Sequence, residues 1–167
     1  MISAFVRNFA GLWLSVFVLC ACGGGAAASS MSGDWQIDAR VDDGSTPKIV
    51  TTFVTLKIGA DGNPEWRFTP SCSVPMTASG TNAAVLKATP VCNVVKTDAL
   101  PLGITGREGT AYFSSASFAV EGGDAVANSA GTHQFAAGEN RLVTSFSFTL
   151  NSLSVSVGPK GFVGWRR

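Results

Sequence analysis

The chain has 167 residues, of which 46% are hydrophobic and 14% charged, and its formal net charge is +1. Soluble domains carry roughly 25% charged residues, so this chain is apolar for its length, and its near-neutral charge argues against a nucleic-acid partner. The 19 glycines argue against a helical bundle, and the single histidine argues against a metal site or acid–base chemistry built from several histidines.

The N-terminal residues have the layout of a secretory signal. Arg7 precedes an apolar run over residues 9–21, and a glycine tract follows Cys22. The run is shorter than the roughly 20 residues that a membrane-spanning helix needs, and glycines would not continue a helix. A transmembrane anchor and ordinary cleavage after a small residue are the alternatives to lipoprotein processing.

The residues Leu19-Cys20-Ala21-Cys22, at the end of the run, resemble the lipobox of bacterial lipoproteins. In that family a leucine stands three residues before the modified cysteine, and a small residue stands directly before it. The resemblance implies that residues 1–21 are removed as a signal peptide and that Cys22 carries acyl chains such as palmitate. Several acyl chains anchor a protein stably in a membrane. Cys20 fits less well, because Leu19 would then occupy the small-residue position.

The lipobox resemblance also implies a location. Gly23 follows the modified cysteine, whereas an aspartate there is linked to retention in the inner membrane. The resemblance therefore favours the bacterial outer membrane, with a lipid-anchored protein facing the periplasm or the cell surface. Residues 22–33 are expected to form the lipidated cysteine and a flexible tether, and residues 34–167 a single domain.

Cys72 and Cys92 are the cysteines that remain after the signal and the lipidated residue. An even pair in an exported, oxidising context predicts a disulfide. A metal or redox site is the alternative, but the sequence has no C-x-x-C motif, and His133 lies far from both cysteines in the sequence.

The domain is predicted to be all-β, because short alternating or β-branched runs are separated by turn residues. The predicted strands cover residues 34–41, 48–58, 65–69, 83–89, 91–97, 110–121, 132–137, 142–150, 153–157 and 161–167. Since the runs at 83–89 and 91–97 are weaker, the count is about eight or nine. This predicts an antiparallel β-barrel of about eight strands, with a two-sheet β-sandwich as the alternative.

Two of these runs show a detailed pattern. In 110–121, Tyr112, Phe118 and Val120 share one parity. A two-residue turn at 151–152 predicts a hairpin whose apolar side chains pair on one face and whose serines point the other way. The predicted pairs are Leu150 with Leu153, Phe148 with Val155, and Phe146 with Val157.

The residues Gly33-Asp34-Trp35, at the start of the first strand, resemble the G-x-W signature of lipocalin and calycin barrels. That resemblance implies that Trp35 stacks beneath an arginine near the end of the last strand, either Arg166 or Arg167, and so closes the barrel. The alternative is that Trp35 is simply the largest core residue of its strand.

Motifs of catalysis are nearly absent. Ser45-Thr-Pro-Lys48 matches S-x-x-K but sits in a turn, and the chain has no G-x-S-x-G, H-E-x-x-H or phosphate-binding loop. We therefore expect no enzyme activity, no cofactor and no metal site. The predicted function is binding of a small hydrophobic ligand, with the wall formed by Trp35, Trp66, Phe146 and Phe148. The alternative is a solid-core module that binds protein or glycan in the envelope through a loop at 98–109 or 122–131.

Overall fold

The computed structural model describes residues 30–41, 44, 46–158 and 162–167, so the predicted signal peptide and Cys22 lie outside the described residues. Within them the chain forms twelve strands and a 3-10 turn at Pro101–Gly103. The strands are β1 (Gly33–Val41), β2 (Lys48–Ile58), β3 (Pro64–Thr69), β4 (Cys72–Ala78), β5 (Ala83–Leu86), β6 (Val91–Val94), β7 (Gly109–Glu121), β8 (Val126–Ala127), β9 (Gln134–Phe135), β10 (Arg141–Leu150), β11 (Leu153–Val157) and β12 (Val163–Arg166).

Eight of these strands close into an antiparallel β-barrel. Their order is β10, β12, β1, β2, β3, β4, β5 and β7, and β7 pairs back onto β10. β11 continues along the edge of β10 beside β12, and β6 lies along the edge of β7 beside β5. β8 and β9 form a separate two-stranded hairpin. The all-β class and the eight-stranded barrel are confirmed, and the sandwich alternative is wrong.

The alternation in β1 decides which side chains enter the barrel. Trp35 and Ile37 are buried and point inward, whereas Asp34 and Arg40 are exposed on the outer wall. Successive side chains of a strand point to opposite faces, so the period of two in the sequence becomes an apolar interior and a polar exterior.

The hairpin of β10 and β11 has the predicted register. Leu150 pairs with Leu153, Phe148 with Val155, and Phe146 with Val157. Phe146 and Phe148 are buried. The serines that alternate with the apolar residues of both strands lie on the outer wall, where the Ser147 and Ser156 hydroxyls are 2.9 Å apart. Asn151, the first residue of the two-residue turn, has a φ of 54°. The common two-residue hairpin turns need a positive φ at this position.

A β-bulge in β7 overturns the simple parity of that strand. Phe113 pairs with Phe148 and Ser115 pairs with Ser147, so Ser114 is an extra residue in the ladder. The extra residue reverses the side on which later side chains point. Tyr112 is therefore 53% exposed on the outer wall while Phe118 is buried, although the two share parity in the sequence.

β4 has no counterpart among the predicted strands. Cys72, Val74 and Met76 are buried in alternation with more exposed residues, but Pro75 stands in the middle of the run. Proline lacks a backbone N–H and usually argues against a central strand. Here Pro75 still accepts a hydrogen bond through its carbonyl, from the Lys87 N–H at 3.1 Å.

The disulfide between Cys72 and Cys92 is confirmed, with 5.6 Å between the two Cα atoms. It joins β4 to β6, which lies outside the ring, and so ties that strand back to the barrel.

Several predicted element bounds differ from the observed ones. The runs expected at 83–89, 91–97, 132–137 and 161–167 form the shorter strands β5, β6, β9 and β12. Residues 30–33, expected to belong to the tether, are part of the folded domain. Met31 is fully buried, and its carbonyl accepts a hydrogen bond from Trp35 Nε1 at 2.9 Å.

Candidate binding site

The four aromatic residues predicted to line a ligand cavity are core residues. Trp35, Trp66, Phe146 and Phe148 are at most 2% exposed. The Trp66 ring lies within 5.7 Å, between ring centroids, of Phe68, Phe113, Phe118 and Phe146. Side chains around an open cavity would keep accessible surface, and these have almost none. Aromatic contacts therefore occupy the space that a ligand between these rings would need.

Trp35 and Arg166 stand opposite each other where β1 pairs with β12. The Arg166 guanidinium lies 4.7 Å from the centre of the Trp35 ring, and it donates hydrogen bonds to the carbonyls of Ser30 at 2.6 Å and Ser32 at 3.1 Å. This is the contact that the lipocalin resemblance implies. Arg167 lies instead 4.7 Å above the ring of Phe53 on the outer wall.

The close approach of β12 to β1 depends on Gly164. A Cβ atom on this residue would lie 2.8 Å from Ile37 Cγ1 and 2.9 Å from the Gln36 carbonyl oxygen. Any side chain here would push β12 away from β1, and Arg166 would move with it.

The barrel wall opens where β2 and β3 separate. The two strands pair only from Thr55, opposite Arg67, to Ile58, opposite Pro64. The segment at 95–104 fills part of the opening, since the Leu102 N–H donates to Thr52 Oγ1 at 2.9 Å and Leu100 is buried in the core. Part of the segment at 98–109 therefore belongs to the barrel wall, whereas the sequence predicts an exposed loop there.

Two adjoining clefts lie at this opening, and we call them together the β2–β3 cleft. Their volumes are about 180 and 390 Å³, and both are lined by Phe68 and Ala99. The smaller has apolar walls from Phe53, Leu100 and Pro101. The larger has a volume typical of small-molecule sites, at the lower end of the range of roughly 300–1,000 Å³. Sequence patterns could not locate this cleft, because it depends on where two strands stop pairing.

A second feature of the surface is the excursion at 122–140, which connects β7 to β10 and folds back onto the outer wall at β1 and β12. Phe135, within the excursion, is buried, and the His133 ring stacks on Trp165 with 4.5 Å between centroids and an angle of 4°. His133 Nε2 also lies 3.0 Å from Glu139 Oε1. The lone histidine therefore has a packing role in this excursion.

The excursion is attached to the barrel by Asp38, which points outward from β1 but is only 6% exposed. Its carboxylate accepts hydrogen bonds from Thr132 at 2.6 Å, Thr51 at 2.8 Å and Gln36 at 3.1 Å. Burial by itself raises the pKa of Asp38, but these three hydrogen bonds favour the charged form and bring the pKa below its ordinary value. Asp38 is therefore ionised at neutral pH and acts as an anchor.

Among the described residues, no cluster of three or more His, Cys, Asp and Glu side chains could hold a metal ion. Asp61, in the turn after β2, forms an ion pair with Lys87, whose Nζ lies 2.6 Å from the carboxylate. The described part of the chain also has no helix with the length and hydrophobicity to cross a membrane.

No family model, curated protein or solved structure matches the chain.

Proposed function

We propose that this protein is a lipid-anchored, non-catalytic binding protein of the bacterial envelope that takes a small hydrophobic ligand in the β2–β3 cleft. The observation that supports this site is the opening between β2 and β3, where apolar side chains line a cleft while the barrel interior is filled. The proposed ligand site therefore lies in the barrel wall and not between the aromatic rings of the interior.

The walls of the smaller cleft support an apolar ligand, whereas mostly polar residues line the larger one. Phe53 is 56% exposed at the mouth of the cleft, and Phe68 and Leu100 form deeper parts of its lining. The carboxylate of Asp98, which lines the larger cleft, is buried and accepts a hydrogen bond from the Val95 N–H at 2.9 Å, so it is already engaged within the protein. Affinity would then come mainly from burial of apolar surface, worth about 25 cal/mol per Å².

A blocking variant tests this site. Ala99→Trp would place an indole where the two clefts meet, and Ala88→Trp on an exposed loop is the matched control. With the apolar dye N-phenyl-1-naphthylamine as the probe, we expect Ala99→Trp to weaken binding about tenfold or more and Ala88→Trp to leave it unchanged. Equal dye affinity in the two variants, or no dye binding by the unaltered protein, would contradict the proposed site.

The anchor is tested separately by metabolic labelling with palmitate. We expect Cys22→Ser to abolish labelling and to leave the precursor unprocessed, while Cys20→Ser keeps both processing and label. Labelling of the Cys22→Ser variant through Cys20 would show that the modified residue is assigned wrongly.

A second candidate function is recognition of a neutral glycan by the outer wall of β7, β10 and β11. Tyr112 is exposed there among hydroxyl side chains, including the close pair Ser117 and Ser145 at 2.6 Å. Sugars bind exposed aromatic rings and hydroxyl groups, and this candidate agrees with a solid barrel core. Glycan binding that is lost in Tyr112→Ser and kept in Ala99→Trp would favour it over the cleft.

A further inference from the structure

We infer that the outer side of β2 lies against the anionic membrane surface that holds the lipid anchor. This surface, which we call the β2 face, consists of Ile49 and Phe53 with the neighbouring Arg40, Arg67 and Arg167. The inference rests on the proposed anchor at Cys22, but it does not depend on a ligand in the β2–β3 cleft.

The β2 face exposes two large apolar side chains in the middle of a strand. Ile49 is 53% exposed and Phe53 is 56% exposed. They lie four residues apart and point to the same side, which puts them roughly 13 Å from each other along the strand. Scattered single apolar residues are normal on a protein surface, so their meaning depends on what surrounds them.

Arginines surround both apolar side chains. Arg167 lies 4.7 Å above the Phe53 ring, Arg40 stands opposite Ile49 in the ladder, and Arg67 stands opposite Thr55. Guanidinium groups bind phosphate strongly, while aromatic and aliphatic side chains enter the interfacial layer of a bilayer. Each apolar residue of the β2 face thus has a neighbouring cation that could bind a lipid phosphate.

Acidic groups on this side only partly offset the cations. Asp34 accepts a hydrogen bond from Thr55 at 2.7 Å, and Glu65 stands opposite Lys57 in the ladder. Asp38 is covered by Thr132. Among the described residues, the exposed balance therefore favours anionic lipid, which attracts basic residues near the membrane surface.

The position of the tether selects the membrane as the partner. Gly33 pairs with Leu56 of β2, so the chain enters the barrel about 10 Å along the strand from Phe53. Ser30 follows Cys22 by eight residue steps, which span at most about 29 Å in a fully extended chain. Ser30 lies at the end of the barrel, where its hydroxyl donates to Asn82 Oδ1 at 3.2 Å and its carbonyl accepts from Arg166 at 2.6 Å. An acylated Cys22 would therefore keep this end of the barrel, from which β1 and the β2 face extend, within reach of the bilayer.

Sedimentation with vesicles tests the inference without the anchor. The protein used is the chain from residue 22 onward with Cys22→Ser, and the vesicles contain phosphatidylglycerol and phosphatidylcholine in equal parts, or phosphatidylcholine alone. We expect binding to the anionic vesicles that falls about tenfold or more in the double variant Phe53→Ser with Arg167→Gln. Tyr112→Ser removes an equally exposed ring from another part of the wall, and it should bind as the unaltered chain does.

A second double variant separates this surface from the ligand site. Ile49→Ser with Arg40→Gln changes the β2 face at residues that do not line the β2–β3 cleft. It should reduce vesicle binding to a similar degree while dye binding in the absence of vesicles is unchanged. Absence of binding to anionic vesicles by the unaltered chain, or undiminished binding in both double variants, would overturn the inference. Failure of the unaltered protein to incorporate palmitate at Cys22, or to bind the dye, would instead contradict the proposed function.

Discussion

Thr132 donates a hydrogen bond of 2.6 Å to the buried carboxylate of Asp38, and so links two residues that lie 94 positions apart. Asn128 holds Thr132 in place, because its Nδ2 donates to Thr132 Oγ1 at 3.0 Å and its Oδ1 accepts from the Thr132 N–H at 2.9 Å. The excursion at 122–140 is therefore fixed to β1 through one carboxylate. Loss of that carboxylate would leave buried donors without their acceptor.

The first prediction concerns the stability of the excursion. Asp38→Ala should speed backbone hydrogen exchange in 122–140, because hydrogen bonds to a charged group contribute about 1.5–3 kcal/mol each. Exchange in β3 and β4, on another part of the wall, should change little. Asp34→Ala is the matched control, since Asp34 lies on the same strand but is exposed. Equal protection of the excursion in the two variants would argue against the anchoring role of Asp38.

The same carboxylate predicts a dependence on pH. The pKa of Asp38 is lowered in the folded protein, so its contribution is fully present above the unfolded value and is lost as the pH falls through the folded value. We expect the excursion to keep constant protection from neutral pH down to about pH 4 and to lose it below that. Hydrogen exchange across this range measures the effect.

Asp38→Asn should remove most of the acid-dependent change. Glu139, whose pKa is lowered mainly by the hydrogen bond from the Ala136 N–H and then by His133, supplies the remainder. An acid transition of the same size in Asp38→Asn as in the unaltered protein would assign the effect to another group.

The third prediction concerns closure of the barrel. Arg166→Gln removes the cation above Trp35 and the positive charge of the group that donates to the Ser30 and Ser32 carbonyls. The free energy of unfolding should therefore fall by about 1–2 kcal/mol. Arg107→Gln, on an exposed loop, should stay within about 0.5 kcal/mol. Urea unfolding followed by tryptophan fluorescence gives both values. Equal midpoints for the two variants would mean that the arginine does not stabilise this end.

The fourth prediction compares the two faces of β10. Phe148→Ala should destabilise the protein by about 3–5 kcal/mol, because it removes a ring that packs on Phe68 and Phe113. Ser147→Ala, one residue away on the outer wall, should cost about 0.5 kcal/mol, since it loses only a hydroxyl contact with Ser156. Similar losses in thermal or urea unfolding would mean that both faces of the strand are buried.

Local pattern is sufficient for much of the fold, since the β10–β11 register follows from a two-residue turn between two alternating runs. The contact of Arg166 with Trp35 agrees instead with what the lipocalin resemblance implies. The β2–β3 cleft had no such signal. Its walls come from strands that diverge and from a distant segment around Ala99, so no local periodicity marks it.

Alternation of apolar and polar residues is sufficient to predict the all-β class, and the two-residue turn is sufficient to predict the register of the β10–β11 hairpin, because both signals act over short distances. The pairing of Cys72 with Cys92 follows by elimination, once the lipobox resemblance assigns Cys20 and Cys22 to the signal peptide and the lipid anchor. The remaining features depend on contacts between distant residues. The extra residue Ser114 puts Tyr112 and Phe118 on opposite faces, the excursion buries Asp38, and the separation of β2 from β3 forms the β2–β3 cleft. These features arise only when barrel closure brings distant residues together, and steric packing then decides which side chains remain accessible.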